Sequence, residues 1–214
     1  MVVVELFTSQ GCNSCPPADA LLQELARRSD ILALSLHVDY WDYLGWKDPF
    51  ATPELTARQR GYAKSLRQRY VYTPEMVVHG YAHDSGLDGA TIKGLILGVP
   101  EKVGKQITPG LSIDRDGVGI TLPAYDGLEA GAELWLITFD AQHKTKVERG
   151  ENRGAELVNR NVVRSLKSLG TWNGKPAQLR AGADKLGPGG QLALIVQKPD
   201  LGPIIGCAHL QRIA

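Results

Sequence analysis

Apolar runs of strand length alternate with helix-spaced apolar patterns along the first half of the chain. The first strand-like run, residues 2–7, leads into a loop, and Thr52-Pro53 has the N-cap and first-turn proline typical of a helix start. The predicted strands are 2–7, 31–38 and 76–78, and the predicted helices are 19–26, 52–70 and one capped by Asp88. A hairpin tip is predicted at Gly80-Tyr81. This alternation predicts an α/β layer over residues 1–108.

The pattern changes after Thr108-Pro109-Gly110, where Gly and Pro clusters begin to separate short period-2 runs. The predicted strands of this half are 117–122, 133–140, 145–149, 157–166, 192–197 and 204–210. Several strands with turn signals between them are typical of a small β-sandwich. We therefore predict that residues 109–214 form a β-rich accessory domain.

A CxxC motif, Cys12-Asn13-Ser14-Cys15, lies between the first predicted strand and the first predicted helix. Pro16 and Pro17 fit the first turn of a helix, where a missing N–H is tolerated. The helix dipole would then favour a thiolate at Cys12. We expect Cys12 to be the exposed nucleophile with a lowered pKa, helped by the Cys15 N–H and the Ser14 hydroxyl, and Cys15 to be the resolving thiol.

Composition leaves several other functions without support. The formal net charge of +1 gives no strong field for nucleic acid or an anionic membrane, and no apolar stretch is long enough to span a bilayer. A zinc site would need a second Cys or His pair, so no metal or cofactor is expected. The third of the three cysteines, Cys207, lies in an apolar run and is expected to be a core residue, or alternatively a resolving or regulatory thiol.

A polar and aromatic block at residues 37–50 follows the second predicted strand. His37 and Asp39 point the same way in the strand pattern and could handle protons or contact substrate. The alternative is a long loop pinned by its own aromatic side chains. Glu5, in the strand before the CxxC, could accept the Cys15 proton, or could face outward on a sheet edge.

Five segments of the chain resemble the bacterial family catalogued as domain of unknown function 1223, whose first half is thioredoxin-like. The matching segments are 4–19, 36–50, 58–78, 149–174 and 196–208. The resemblance implies an α/β thioredoxin-like domain followed by a small all-β, sandwich-like domain. It also implies a periplasmic or secreted protein, whose signal peptide would lie outside this sequence. Thr73-Pro74 would be a cis pair beside the CxxC that binds the substrate backbone; an ordinary trans-proline is the alternative.

These features favour a thiol–disulfide oxidoreductase, or a protein derived from one, that acts on protein disulfides of the bacterial cell envelope. Its partners would be a protein thiol or disulfide substrate and a redox partner, with Trp41, Tyr43 and Trp46 forming an apolar rim for the substrate. One alternative is a thioredoxin-like copper or metal chaperone that uses the cysteines with His37 or His79. The other is an envelope binding module whose CxxC forms a structural disulfide.

Overall fold

Eight strands form one mixed sheet, and three more form a small separate sheet, in the computed structural model, which describes residues 1–211. The strands are β1 (Val2–Thr8), β2 (Ile31–His37), β3 (Glu75–Val78), β4 (Ala82–Asp84), β5 (Gly110–Asp114), β6 (Gly117–Leu122), β7 (Ala132–Lys146), β8 (Glu156–Trp172), β9 (Ala177–Gly182), β10 (Gln191–Gln197) and β11 (Ile204–Gln211). The α-helices are α1 (Pro16–Leu25), α2 (Pro53–Ser65) and α3 (Gly89–Val103), and two short 3₁₀ helices lie at Asp42–Leu44 and Ala183–Lys185. The large sheet has the order β11-β10-β7-β8-β2-β1-β3-β4.

The first half has the predicted α/β architecture. Strand β1 is central, with β2 parallel on one side and β3 antiparallel on the other. Because side chains alternate along a strand, β1 contributes to two cores. Its Val4 and Leu6 pack with residues of α1 and α3, whereas Val3 and Phe7 pack with residues of α2. Thr8 is in the same alternation as Val4 and Leu6, so it faces α1.

The second half is β-rich, as predicted. Strands β7, β8, β10 and β11 extend the large sheet, and a parallel pairing of Ser35 with Val162 joins β2 to β8. The three-stranded antiparallel sheet β5-β6-β9 covers the far part, where Val118, Ile120 and Leu122 share a core with residues of β7 and β10. Strands from both sides of residue 108 thus share one sheet, and the division into two folding domains stays a prediction.

Strands β7 and β8 form a long two-stranded ribbon that the sequence pattern did not predict. The predicted strands 133–140 and 145–149 are in fact one strand, Ala132–Lys146, because the polar residues between them stay paired with β8. β5 and β9 were missed because most of their side chains are exposed or only partly buried, which weakens the apolar pattern. The turn of the ribbon, residues 147–155, extends to the end of β1 and contacts the loop that follows it.

Candidate functional site

The two cysteines lie in a tight loop that ends in the first turn of α1. The Cys12 N–H donates to Ser9 O and the Cys15 N–H to Cys12 O, at 3.1 and 3.3 Å, which turns the chain back before the helix. Cys15 is the N-cap residue of α1, and prolines occupy the following positions. Prolines fit here because the first N–H groups of a helix have no intrahelical partner. The predicted position of the CxxC at a helix start is therefore found.

The Cys12 sulfur is surrounded by hydrogen-bond donors. These lower the pKa of Cys12 to about 7: first the Cys15 thiol, then the Thr73 hydroxyl and the Ser14 and Cys15 N–H groups, against the opposing effect of burial. The direction agrees with the expectation from the sequence, but one source differs. The Ser14 hydroxyl hydrogen-bonds the Asn13 side chain, so Ser14 contributes its N–H instead.

The pKa of Cys15 is shifted in the direction opposite to that of Cys12. Burial raises the pKa of Cys15 well above its ordinary value, and the thiol donates to Cys12, whose negative charge raises that pKa further. The charge of Asp19 acts in the same direction. The pair therefore consists of one thiol poised to ionise near neutral pH and one thiol that stays protonated.

The Thr73–Pro74 peptide bond is cis and lies against the cysteines, as the resemblance implied. The Cys12 thiol is 3.8 Å from Thr73 O. Trp41 donates from Nε1 to the Thr73 hydroxyl at 2.7 Å, so the aromatic loop holds this segment in place. Thr73 and Trp41 thus reach the cysteine site, and their predicted substrate contacts stay predictions.

The expectation that Cys12 is exposed is wrong, because Cys12 is only 2% exposed and Cys15 is fully buried. The turn of the β7–β8 ribbon lies over the cysteine loop. Asn152 donates from Nδ2 to Gln10 O and to Cys12 O, both at 2.9 Å, and Glu151 accepts from the Asn13 N–H at 3.1 Å. The turn is therefore hydrogen-bonded to the backbone of the cysteine loop on both sides of Gly11 and at Cys12 itself.

The two remaining residues of the predicted rim, Tyr43 and Trp46, differ in their exposure. Tyr43 is 78% exposed, so it is free to contact another molecule. Trp46 is partly buried and donates from Nε1 to the Gln10 side chain at 3.1 Å. Part of the 37–50 block is therefore a loop held in place by its own aromatic side chains, which was the alternative interpretation.

His37 is buried in an ion pair beneath the loop rather than placed on a surface. Its Nδ1 lies 2.7 Å from Asp48 Oδ2, and Asp48 also accepts from the Gln10 and Phe50 N–H groups. Although burial opposes it, the charge of Asp48 raises the pKa of His37. Asp39 instead accepts from the Thr56 hydroxyl at the start of α2, so it does not share a partner with His37.

Two of the residues proposed for proton or metal chemistry lie away from the cysteines. Glu5 faces α2, on the opposite side of β1 from Thr8 and α1, and pairs with Arg58 at 2.6 Å, so its predicted contact with Cys15 is wrong. His79 is buried and accepts from the Val3 N–H, near the other end of β1. Within residues 1–211, no group of three His, Cys, Asp or Glu side chains could hold a metal ion.

Asp19 is a buried carboxylate beside Cys15 that the sequence analysis did not single out. It accepts from the Thr8 hydroxyl at 3.3 Å, and burial raises its pKa to about 7. Its spacing of four residues from Cys15 was an available signal, because such residues share one face of a helix. Asp48, Asn152 and Asn159 were also missed, since they come from a loop, from the distant ribbon turn and from β8.

The third cysteine, Cys207, lies in the core. Cys207 is buried beside the start of β1, with its thiol 3.5 Å from Met1 O, which confirms the expectation of a core residue. Burial raises the pKa of Cys207 to about 11.

In the part of the chain that the structure describes, no helix is both long and apolar enough to cross a membrane.

Comparisons with other proteins agree with the fold and the predicted family. Residues 3–197 match the family described as protein of unknown function, DUF1223. The crystal structure of protein AGR_C_4864 from Agrobacterium tumefaciens is 32% identical, with a TM-score of 0.85 over 98% of this chain and 93% of that one. HBP35 of Porphyromonas gingivalis is 13% identical, with a TM-score of 0.60 over 99% of this chain and 74% of that one, and shares the fold alone. Comparison with curated proteins gave no match.

Proposed function

The chain belongs to the DUF1223 family of proteins of unknown function, and for it we propose thiol–disulfide exchange, with Cys12 as the nucleophile and Cys15 as the resolving thiol. The observation that carries this proposal is the placement of the pair: Cys15 is the N-cap residue of α1, and the Cys12 sulfur lies 3.8 Å from Thr73 O of the cis Thr73–Pro74 segment. Cys15 donates to Cys12, whose pKa is lowered to about 7, while burial keeps Cys15 itself protonated. The lowered pKa of Cys12 and the protonated Cys15 agree with the roles of nucleophile and resolving thiol.

The exchange has two steps. The Cys12 thiolate attacks one sulfur of a substrate disulfide, forms a mixed disulfide and releases the other substrate sulfur as a thiolate. Cys15 then loses its proton and attacks the Cys12 sulfur, which forms the Cys12–Cys15 disulfide and releases the second substrate thiol. The protein pair is oxidised by two electrons and the substrate disulfide is reduced by two. The reverse sequence would oxidise a dithiol.

Substrate binding would involve the segment beside Cys12 and the cover above it. Thr73 and Pro74 would present backbone to an extended substrate, and Trp41 and Tyr43 would provide apolar contacts. Because Asn152 and Glu151 hold the ribbon turn over the cysteine loop, the turn must move before a protein disulfide can reach Cys12. Three hydrogen bonds join it to the cysteine loop, one exposed and two partly buried, which is compatible with local opening.

We expect protein thiols or disulfides as substrates, together with a separate redox partner, in the periplasm or outside the cell. The support for this setting is the resemblance to a family whose members are commonly predicted to be exported. The metal-chaperone alternative loses support, because His37 is paired with Asp48 and His79 lies near the far end of β1. The structural-disulfide alternative is addressed by the experiment.

The experiment is to trap mixed disulfides with a Cys15→Ala variant and to titrate the wild-type protein against glutathione buffers. The variant should accumulate a mixed disulfide at Cys12, whereas Cys12→Ala should not, and Cys207→Ala serves as the matched control that leaves trapping unchanged. A pair that stays a disulfide across the whole glutathione range, with no trapped species, would instead support the binding module.

A further inference from the structure

A buried carboxylate with an unpartnered oxygen lies one helical turn from the resolving thiol. The Asp19 N–H donates to Cys15 O at 3.1 Å, so the two residues lie on one face at the start of α1. Asp19 is 9% exposed, and its Oδ1 has no partner within hydrogen-bond distance in residues 1–211, although the Asn159 side chain lies near enough to lower the Asp19 pKa. Buried polar atoms are nearly always paired, so an unpaired one beside a thiol calls for a chemical explanation.

Thr8 joins this carboxylate to Cys15. Its hydroxyl donates to Asp19 Oδ2 at 3.3 Å, at a position that is fully buried. The same hydroxyl lies near enough to the Cys15 thiol to lower its pKa, against the much larger effect of burial. A hydroxyl can accept one proton while it donates another, so the three groups form a path from sulfur to carboxylate.

Asp19 is surrounded by groups that set its charge. His37 faces it from β2, and its Nε2 is also unpartnered in the described part of the chain. Thr8 contacts it from β1 and Asn159 from β8, while Cys12 is the nearby thiolate. His37 itself is held by Asp48. This surrounding lets the carboxylate exist in either protonation state near neutral pH.

Asp19 also lies close to the protein surface. Asp19 lines a surface cavity of about 250 Å³ between α1 and the start of β8. Pro16, Gln23 and Leu157 form other parts of its wall, and the exposed Glu156 lies on it as well. Cys15, by contrast, is fully buried. A proton that reached Asp19 could leave through this cavity without passing the covered Cys12.

We propose that Asp19 accepts, through the Thr8 hydroxyl, the proton that Cys15 loses when it resolves the mixed disulfide. The proton moves from Cys15 Sγ to Thr8 Oγ1 while the hydroxyl proton moves to Asp19 Oδ2. The Cys15 sulfur bonds to Cys12, and the Cys12–substrate bond breaks with the electron pair leaving on the substrate sulfur. Asp19 then releases its proton to water in the cavity. This inference rests on the proposed function and names a positioning residue for it.

The test follows the resolving step directly, with 5,5′-dithiobis(2-nitrobenzoate) as the substrate disulfide. Cys12 releases the first coloured thiolate, and the attack of Cys15 releases the second, so two absorbance phases separate the steps. Asp19→Asn should slow the second phase by about 100-fold at pH 8, since positioned proton transfer contributes at least that much. Thr8→Val should act alike, and Thr8→Ser should restore the rate. Glu24→Gln, an exposed carboxylate on the same helix, is the matched control.

A second measurement separates proton transfer from a structural role. In a Cys12→Ser background, Asp19→Asn should lower the apparent pKa of Cys15 in alkylation, because the negative charge of Asp19 is one of its causes. The thiol would thus become more acidic while the resolving step became slower. A structural defect that exposed Cys15 would also lower its pKa, but it would lower the free energy of unfolding as well, whereas we expect Asp19→Asn to be at least as stable as the wild type at pH 8.

The outcomes distinguish the two proposals. If the wild-type protein shows both phases and neither Asp19→Asn nor Thr8→Val slows the second, the role of Asp19 is refuted and the proposed function stands. If the wild-type protein never releases the second thiolate, the proposed exchange itself fails. Loss of the second phase in Asp19→Asn but not in Thr8→Val would refute the path through the hydroxyl.

Discussion

Glu5 and Asp19 are two buried carboxylates on opposite faces of β1, and their surroundings differ completely. Glu5 receives two hydrogen bonds from Arg58, at 2.6 and 3.1 Å, and one from the Tyr62 hydroxyl. Arg58 also donates to the Gln197 side chain. Asp19 receives the Thr8 hydroxyl at 3.3 Å on one oxygen, and its other oxygen has no partner in the described chain.

The difference shows how burial alone fails to identify a functional acid. A carboxylate whose two oxygens both accept hydrogen bonds from a guanidinium is held in a structural contact. A carboxylate that is buried with few donors is held near the point where both protonation states are populated. Glu5 therefore joins α2 to the sheet, whereas Asp19 is available for proton chemistry beside Cys15.

Glu5→Gln should have the largest effect on stability. The substitution leaves the Arg58 charge buried without its partner, which should lower the free energy of unfolding by about 3–5 kcal/mol at pH 7. Urea-induced unfolding measures it, with Glu54→Gln, an exposed carboxylate on the same helix α2, as the control. The two thiolate-release phases of the folded protein should be unchanged. A change below about 1 kcal/mol would mean that the ion pair does not hold the charge as described.

Asp19→Asn should change stability in the opposite direction and in a pH-dependent way. Burial raises the pKa of Asp19 from 3.8 to about 7, so the folded protein prefers the protonated form and wild-type stability falls as pH rises between those values. The variant has no carboxylate at this position, so its free energy of unfolding does not fall in this way as the pH rises. It should be more stable than wild type by about 4 kcal/mol at pH 8 and differ little near pH 4. Unfolding curves at both values of pH are the measurement, and a variant that is less stable at pH 8 would show that the ionised carboxylate is well solvated.

The sequence predicted the parts of the site that depend on local pattern. A strand, a CxxC and two prolines fix the first turn of α1, and the family resemblance identified Thr73-Pro74. Which buried acid meets Cys15 was not predicted, because period-2 alternation separates the two faces of β1 without stating which helix covers which face. Glu5 and Thr8 belong to different faces, and only the packing of α1 against Thr8 decides between them.

The cover over the cysteines could not be predicted for a different reason. Asn152 lies 140 residues from Cys12, and no periodicity links a polar turn residue to a distant carbonyl. The polar stretch at 141–144 was interpreted as a break between strands, although an exposed ribbon can continue through polar residues. The exposure of Cys12 was therefore overestimated, since a CxxC at a helix start is exposed only when no other part of the chain covers it.

The smallest expected effect comes from loosening the ribbon turn, residues 147–155, that lies over the cysteine loop. The substitution leaves Glu5 and Asp19 unaltered. Asn152→Ala removes the two hydrogen bonds to Gln10 O and Cys12 O, with a net loss of about 1 kcal/mol in the closed state of the turn. Because 1.4 kcal/mol corresponds to tenfold in an equilibrium, Cys12 should react with iodoacetamide about fivefold faster at pH 7. Arg153→Ala, an exposed neighbour, is the matched control and should leave the rate unchanged.

The pH dependence of labelling should keep its midpoint near 7, since the groups that lower the Cys12 pKa are untouched. A rate equal to that of the wild type, in a variant that is measurably less stable, would show that access to Cys12 is limited elsewhere, with the Trp41–Thr73 contact as the next site to test.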